Sequence, residues 1–395
     1  MFERDPSERT DLWAVYRRQL NRRAVMRLVA AGGAGLAVAA TALPAPWAVA
    51  QNETPEAEAD PEADPEADPE AEETDAPPAG GSPVGSAGTL TIYSGRNEEL
   101  VGDLIARFEG ATGIDAEVRY AGTGELAATL LEEGDNSPAG VFFGQDAGAL
   151  GALAQEGRLA PLPDELLERV AHEFRSPDGL WVGVSGRARV AVYNTDLLAE
   201  ADLPASVLDL ANEEWRGKVG WAPENASFQA FVTALRILEG EDGARAWLEG
   251  MIANEPVNFG DSNGAVVRAV GAGEIPLGLV NHYYLYEIQA EEGELPIANH
   301  FFPAGDPGSL INVTAVGLVA DGPNAERALA FVDYLLREEA QTYFAEETSE
   351  YPLIEGVAPA ADLPSLADLE LPEIDLTDLA DLEGTQALLT EVGLL

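Results

Sequence analysis

The chain has 395 residues, more than one small core employs, so two packed lobes with extensions are expected. It contains no cysteine, which excludes disulfides, thiolate metal sites, cysteine nucleophiles and a lipid-attachment cysteine, so that any metal must be held by oxygen or imidazole. Seventy acidic residues against 22 basic ones give a formal charge of −48, which argues against nucleic acid as a partner.

The first fifty residues are the exception to this acidity. Arg17, Arg18, Arg22, Arg23 and Arg27 precede an uncharged Ala/Gly-rich run at 28–43, and Ala48-Val49-Ala50 offers a small-residue cleavage site. This reads as a signal peptide over 1–50, which directs the protein to the periplasm or cell exterior. Asn21-Arg22-Arg23-Ala24-Val25-Met26-Arg27 resembles a twin-arginine export motif; a Sec signal or an uncleaved anchor is the alternative. Residues 1–50 carry seven Arg against four Asp or Glu, so cleavage takes the charge from −48 to −51. Residues 51–87 form an acidic Pro/Glu/Ala/Asp tract with a PEAD repeat at 61–64 and 65–68. It has almost no large apolar side chain and is expected to be a disordered linker. Beyond position 50 the only lysine is Lys218, a bias that fits a saline habitat or a skewed genome and says nothing of chemistry.

From residue 88 onward strands and helices alternate. Residues 89–93 read as a strand, 100–109 as an amphipathic helix, 116–120 as a strand, 124–133 as a helix, 140–143 as a strand and 147–156 as a helix. An extended β-branched stretch at 181–192 then opens a second series. Its strands are expected at 217–222 and 275–280, and its helices at 227–239, 244–253, 265–272 and 284–292. A strand at 311–319 and helices at 324–337 and 338–347 are expected to return to the first lobe. The fold class is therefore α/β with two lobes and a ligand cleft between them: lobe 1 over 88–187, lobe 2 over 188–310, and a return segment to lobe 1 over 311–357. The Leu-rich acidic residues 358–395 are expected to pack on lobe 2.

The most informative stretch is Asn281-His282-Tyr283-Tyr284, which follows a strand and opens a helix. That is where open α/β sheets place ligands, and in a turn entering a helix two neighbouring phenols can converge. Deprotonating phenols, whose ordinary pKa is about 10, requires a hard Lewis acid such as ferric iron. Packing, or lining a pocket for a sugar-like solute, is the bland reading of the same pair. Three histidines in the whole chain give no zinc or nickel pattern. A second candidate is the strand-to-helix turn at Asn225, Ala226 and Ser227, with Asn263 as a further donor, which can seat an anion or simply cap a helix. Arg96, Asn97 and Glu98, and Gln145 and Asp146, lie just past strand ends of lobe 1, and Arg187 falls where the chain passes between lobes. No HExxH helix or P-loop is present, so no catalytic residue is assigned and no enzyme is expected.

Over roughly residues 88–357 the chain resembles the bacterial periplasmic ferric-ion-binding proteins, the bacterial transferrin family of iron ABC importers. The resemblance rests on Ile92-Tyr93-Ser94-Gly95, Val141-Phe142-Phe143, Ser185-Gly186-Arg187, Val207-Leu208-Asp209, Trp215-Arg216-Gly217-Lys218, the run from Asn281 to Tyr284, and Glu350-Tyr351-Pro352-Leu353. It implies a type II periplasmic binding protein fold in which Tyr283 and Tyr284 bind Fe3+. It also implies a synergistic carbonate or phosphate seated on Asn225, Ala226, Ser227, Asn263 and Asn281, with Arg96 and Arg187 as possible partners of that anion. The chain departs from the family in lobe 1, where Asn97 and Gln145 replace a histidine and a glutamate, leaving Glu98 or Asp146 as substitutes. The implied partners are ferric ion and an ABC transporter permease, with the protein acting as a monomer. An importer component for a sugar, polyamine or phosphonate is the nearest alternative; an exported hydrolase with paired carboxylates is the alternative of another class.

Overall fold

The computed structural model describes residues 88–395 apart from 361, 362 and 370. The signal peptide and the acidic linker expected at 1–50 and 51–87 lie outside the described residues.

The first lobe begins with β1 (Thr89–Ser94), which buries Leu90 and Ile92. α1 (Glu98–Thr112) follows because Val101, Leu104, Ile105 and Phe108 form one apolar stripe, and it stops at Gly113, whose φ of 69° suits glycine. Then come β2 (Asp115–Tyr120), α2 (Thr123–Glu133) and β3 (Val141–Gly144). β1 pairs in parallel with both β2 and β3, the layout expected from the alternation. α3 (Ala147–Gln155), β4 (Leu159–Ala160) and α4 (Asp164–Leu167) lead to β5 (Val182–Asn194), thirteen residues that are buried throughout.

β5 joins two sheets. As far as Ala188 it pairs antiparallel with β10 (Ile311–Val319) of the first sheet; from Arg189 onward it pairs with β8 (Leu277–Asn281) of the second. Beyond β8 lie β6 (Val219–Trp221) and β7 (Val257–Asn258), both in parallel registers, while β9 (Ile297–His300) also joins β5. The main path is β2-β1-β3-β10-β5-β8-β6-β7. The long helix α5 (Ala226–Ala253) breaks at Gly240 (φ 76°, ψ 167°) into two arms. α6 (Asn263–Gly271) and α7 (Tyr283–Glu292) complete this lobe, whose core is a chain of aromatic contacts, Trp221 to Phe228, Phe228 to Phe231 and Phe231 to Trp247. The return segment supplies β10, α8 (Ala325–Leu335), α9 (Glu338–Glu346) and β11 (Tyr351–Pro352); Phe331 packs edge-on to Phe108 at 5.0 Å, and β11 pairs with β5 at Gly186 and Ser185.

The last residues touch both lobes, where the sequence pattern suggests the second alone. α3 is apolar all round and buried from Ala147 to Leu153, so its outer face needs a cover. The turn Leu376–Ala380 provides it, with Leu376 and Leu379 buried. The chain then enters α10 (Leu382–Glu391), which lies on α5 of the second lobe. There the Thr385 and Thr233 hydroxyls share a buried hydrogen bond of 2.7 Å, and Arg236 donates to the Asp381 carboxylate at 2.9 Å and to Thr385 at 3.0 Å. Two glycines permit the contact on α3: a Cβ at Gly151 would stand 2.7 Å from the Thr377 carbonyl oxygen, and one at Gly148 would stand 2.6 Å from that of Leu379. Gly151→Val is therefore expected to lift the turn off α3 and to destabilise the protein by about 1–3 kcal/mol, the usual cost of overpacking. Denaturant unfolding checks the loss, and faster proteolysis between the return segment and α10 checks its location.

Candidate metal and anion centre

Where the sheets meet, a cavity of about 20 Å³ is walled by Gln145 and Asp146 from the first lobe and by Ala226, Ser227 and Asn281 from the second. Arg187 and Arg189 of β5 and Asn312 of β10 close it. Strand alternation explains the two arginines: they are two residues apart, so their side chains share a face. Both are nearly inaccessible, at 3% and 2% exposure, and each keeps a buried Nε with no hydrogen-bond partner. Arg187 donates to the Gln145 carbonyl. Arg189 donates to the Leu279 carbonyl at 3.3 Å and to the Ser227 hydroxyl at 3.5 Å, and its guanidinium lies 5.4 and 5.3 Å from the Phe228 and Phe231 ring centres. Burial pushes the Arg189 pKa down to about 9, against the pull of the Tyr284 and Tyr283 phenols, so it remains charged at neutral pH. Arg189 is not among the residues singled out from the sequence, although its place two residues after Arg187 in a strand is a usable signal.

The donors expected for an anion are partly brought together. Asn225 is the cap of α5: its side-chain oxygen accepts from the Ser227 N–H at 2.9 Å and from the Ser227 hydroxyl at 2.7 Å. Ser227 Oγ in turn accepts from Asn263 Nδ2 at 3.3 Å, and Asn263 Oδ1 is buried without a partner. Asn281 is buried and lines the cavity itself. Arg96 is engaged elsewhere, bonding Glu350 at 2.5 Å and the Thr314 hydroxyl at 3.0 Å. The Glu350 carboxylate also accepts from the Ser185 hydroxyl. Burial would raise its pKa, but Arg96, Arg187 and the Ser185 bond outweigh burial and hold it below the ordinary value.

The tyrosine pair opens α7 beside this cavity and is not part of its wall. The rings of Tyr283 and Tyr284 stack with centres 4.4 Å apart at 28°, and both are half-buried. Loss of hydration, then the adjoining Tyr284 hydroxyl, push the Tyr283 pKa well above the ordinary phenol value, with Arg187 opposing. In the metal-free protein Tyr283 therefore holds its proton at neutral pH. His282 is fully buried and neutral; burial pushes its pKa down to about 4, and both ring nitrogens are bonded to backbone groups.

The first lobe brings little of the expected ligand set. Asn97 and Glu98 are exposed and line no part of the cavity. Gln145 and Asp146 do line it, but Asp146 is the cap of α3, accepting from the Ala149 N–H at 3.0 Å. Burial, which outweighs the Ala149 bond and Arg187, raises its pKa. Among the described residues no three His, Asp or Glu side chains cluster as a metal cage. The arrangement is thus a cationic, donor-lined cavity next to two phenols that can become hard anionic oxygens.

Comparison with known proteins gives this geometry a context. Residues 136–378 match the family model for bacterial extracellular solute-binding proteins. The chain is 34% identical over 309 residues to the Fe(3+)-binding periplasmic protein of Serratia marcescens, covering 78% of this chain and 90% of that one. Among solved structures, it is similar to iron-bound HitA from Pseudomonas aeruginosa, with a TM-score of 0.72, 34% identity and coverage of 77% of this chain and 99% of that one. It is also similar to Trichodesmium IdiA (FutA) in complex with iron and citrate, with a TM-score of 0.70, 29% identity and coverage of 78% and 100%.

Proposed function

From the premise that this chain belongs to the bacterial extracellular solute-binding proteins, with the type II fold of its structural relatives, we propose that it captures Fe3+ outside the cytoplasm and hands it to an ABC importer. The observation that carries the reading is the stacked pair Tyr283 and Tyr284 beside two buried arginines, in a chain similar along most of its length to a protein named for binding Fe(3+). The protein is a binding protein and not an enzyme, as its family is one of solute-binding proteins.

The two phenolates carry the metal. Arg187, Arg189, Ser227, Asn263 and Asn281, with the amino end of α5, hold a synergistic anion that fills further coordination positions and offsets the arginine charges. Carbonate or phosphate fits this role better than a bulkier anion, because the cavity has about the space of one water and needs little widening for a small oxyanion. Asn97 and Glu98, exposed in this arrangement, remain available to approach the metal only through movement of the lobes. The protein acts as a monomer that docks on a permease once the lobes hold the metal and its anion.

Titrating the full chain with Fe3+ in the presence of bicarbonate, phosphate or neither tests the reading. A visible phenolate-to-iron charge-transfer band is expected only with an anion present. Arg189→Met should weaken the anion's effect by about tenfold to a hundredfold, the worth of a charge-assisted hydrogen bond of roughly 1.5–3 kcal/mol. Equal bands with and without anion would remove the anion seat from the account.

A further inference from the structure

The side chain that ties the two lobes to the tyrosine pair is the one directly before it. The His282 ring is fully buried at the point where β5 leaves the first sheet after Ala188 and enters the second at Arg189. Its Nδ1 accepts the Ala188 N–H at 3.1 Å, which fixes Nε2 as the protonated nitrogen, and Nε2–H donates to the Ser349 carbonyl at 2.7 Å. The His282 main-chain N–H donates to the Ala188 carbonyl at 3.0 Å, so backbone and ring grip the same residue. Ser349 has a left-handed φ of 52° and leads into Glu350, the partner of Arg96, and into β11, which pairs with β5. The ring also packs on Tyr351 at 4.9 Å and edge-on to Tyr283 at 5.9 Å. One imidazole thereby joins three things: the strand between the two cavity arginines, the return segment of the first lobe, and the tyrosine that opens α7.

We infer that His282 is a positioning residue for ferric-ion binding: it fixes the direction of Tyr283 relative to the interlobe joint and is not itself a ligand. The inference rests on the proposed function above, since it concerns how the phenols are held. The chemistry is specific. A residue here must accept from one buried backbone N–H and donate to the C=O of a half-buried residue at opposite ends of a flat side chain, and neutral imidazole does both. An aliphatic replacement leaves both backbone groups without partners, and the joint must shift to satisfy them. Glutamine, with one acceptor and one donor end, retains part of the function.

The test compares wild-type, His282→Leu and His282→Gln full-length chains, each loaded with Fe3+ in the presence of phosphate. Two quantities are read: the position of the charge-transfer band and the affinity in competition with a chelator of known strength. His282→Leu is expected to bind iron about 10–100-fold more weakly, as when a ligand loses its orienting partner, with a displaced band; His282→Gln should recover at least tenfold of the loss. If the wild-type chain gives no band, the iron reading falls. If wild type binds and folded His282→Leu matches it in both quantities, the positioning role is overturned. A folded His282→Gln that binds no iron at all also overturns it, because the ring would then be a ligand. Should His282→Leu fail to fold, hydrogen exchange of the Ala188 amide in the wild-type chain decides: slow exchange upholds the clamp and rapid exchange refutes it.

Discussion

Replacing Tyr283 and Tyr284 together with phenylalanine is expected to abolish ferric-ion binding and its visible band while leaving the fold intact. Phenylalanine keeps the 4.4 Å ring stack and removes only the two hydroxyl oxygens. Neither ring is at the centre of the core, since both are half-buried, so the stability change should be within about 1 kcal/mol. The effect on the metal is far larger than that of losing a supporting contact, which costs roughly 10–100-fold in affinity. No carboxylate or imidazole cluster among the described residues can take over the trivalent ion. Circular dichroism and a visible titration on the same sample separate the outcomes. A folded double variant that still turns coloured with Fe3+ would place the metal elsewhere.

The second large effect is that of pH. Tyr283 is protonated in the metal-free protein, because burial and the Tyr284 hydroxyl raise its pKa well above the ordinary value. Each phenol that becomes a ligand must release its proton, so acidification favours the free state and alkalinisation favours the bound state. For two displaced protons the apparent affinity falls about a hundredfold for every unit by which pH is lowered, until protonation of the anion steepens the loss further. Arg189 does not offset this trend: at about 9, it keeps its charge through the acidic range. Affinities measured by chelator competition between pH 6 and 8 (roughly the range where chelators are well behaved) should follow that slope. A flat profile would mean that phenols are not the ligands.

The parts of the fold set by local pattern were readable from residues alone. The stripe of Val101, Leu104, Ile105 and Phe108 dictates α1, and Gly240 divides α5 where the hydrophobic pattern lapses. The tyrosine turn is equally legible, because a strand rich in Leu and Val ends at Asn281 and a helix starts within two residues. What escaped the sequence depends on contacts between distant segments. Leu376 and Leu379 cover α3, more than two hundred positions earlier in the chain, and nothing in their own pattern distinguishes that face from one on the second lobe. The roles of Arg96 and Arg187 diverge for the same reason: only the approach of Glu350 takes Arg96 out of the site. The cap role of Asn225 and its link through Ser227 to Asn263 combine the two readings its sequence left open, since a capped helix end is also a set of ordered donors.

The departures in the first lobe shape the mechanism. With Asn97 and Glu98 exposed and Asp146 committed to its helix, the proposed mode of binding leaves most of the coordination to the phenols and the anion, which suits a carrier that must also release its cargo. The C-terminal turn and helix, fastened to α3 and α5, add a contact between the lobes beside the chain crossings.

Diffraction from iron-loaded crystals at wavelengths on either side of the iron absorption edge locates the metal. One anomalous peak is expected, bonded to the hydroxyl oxygens of both Tyr283 and Tyr284, with a small oxyanion between it and Arg187 and Arg189. A peak away from both hydroxyls, or none in protein supplied with iron and phosphate, would contradict this mode of binding.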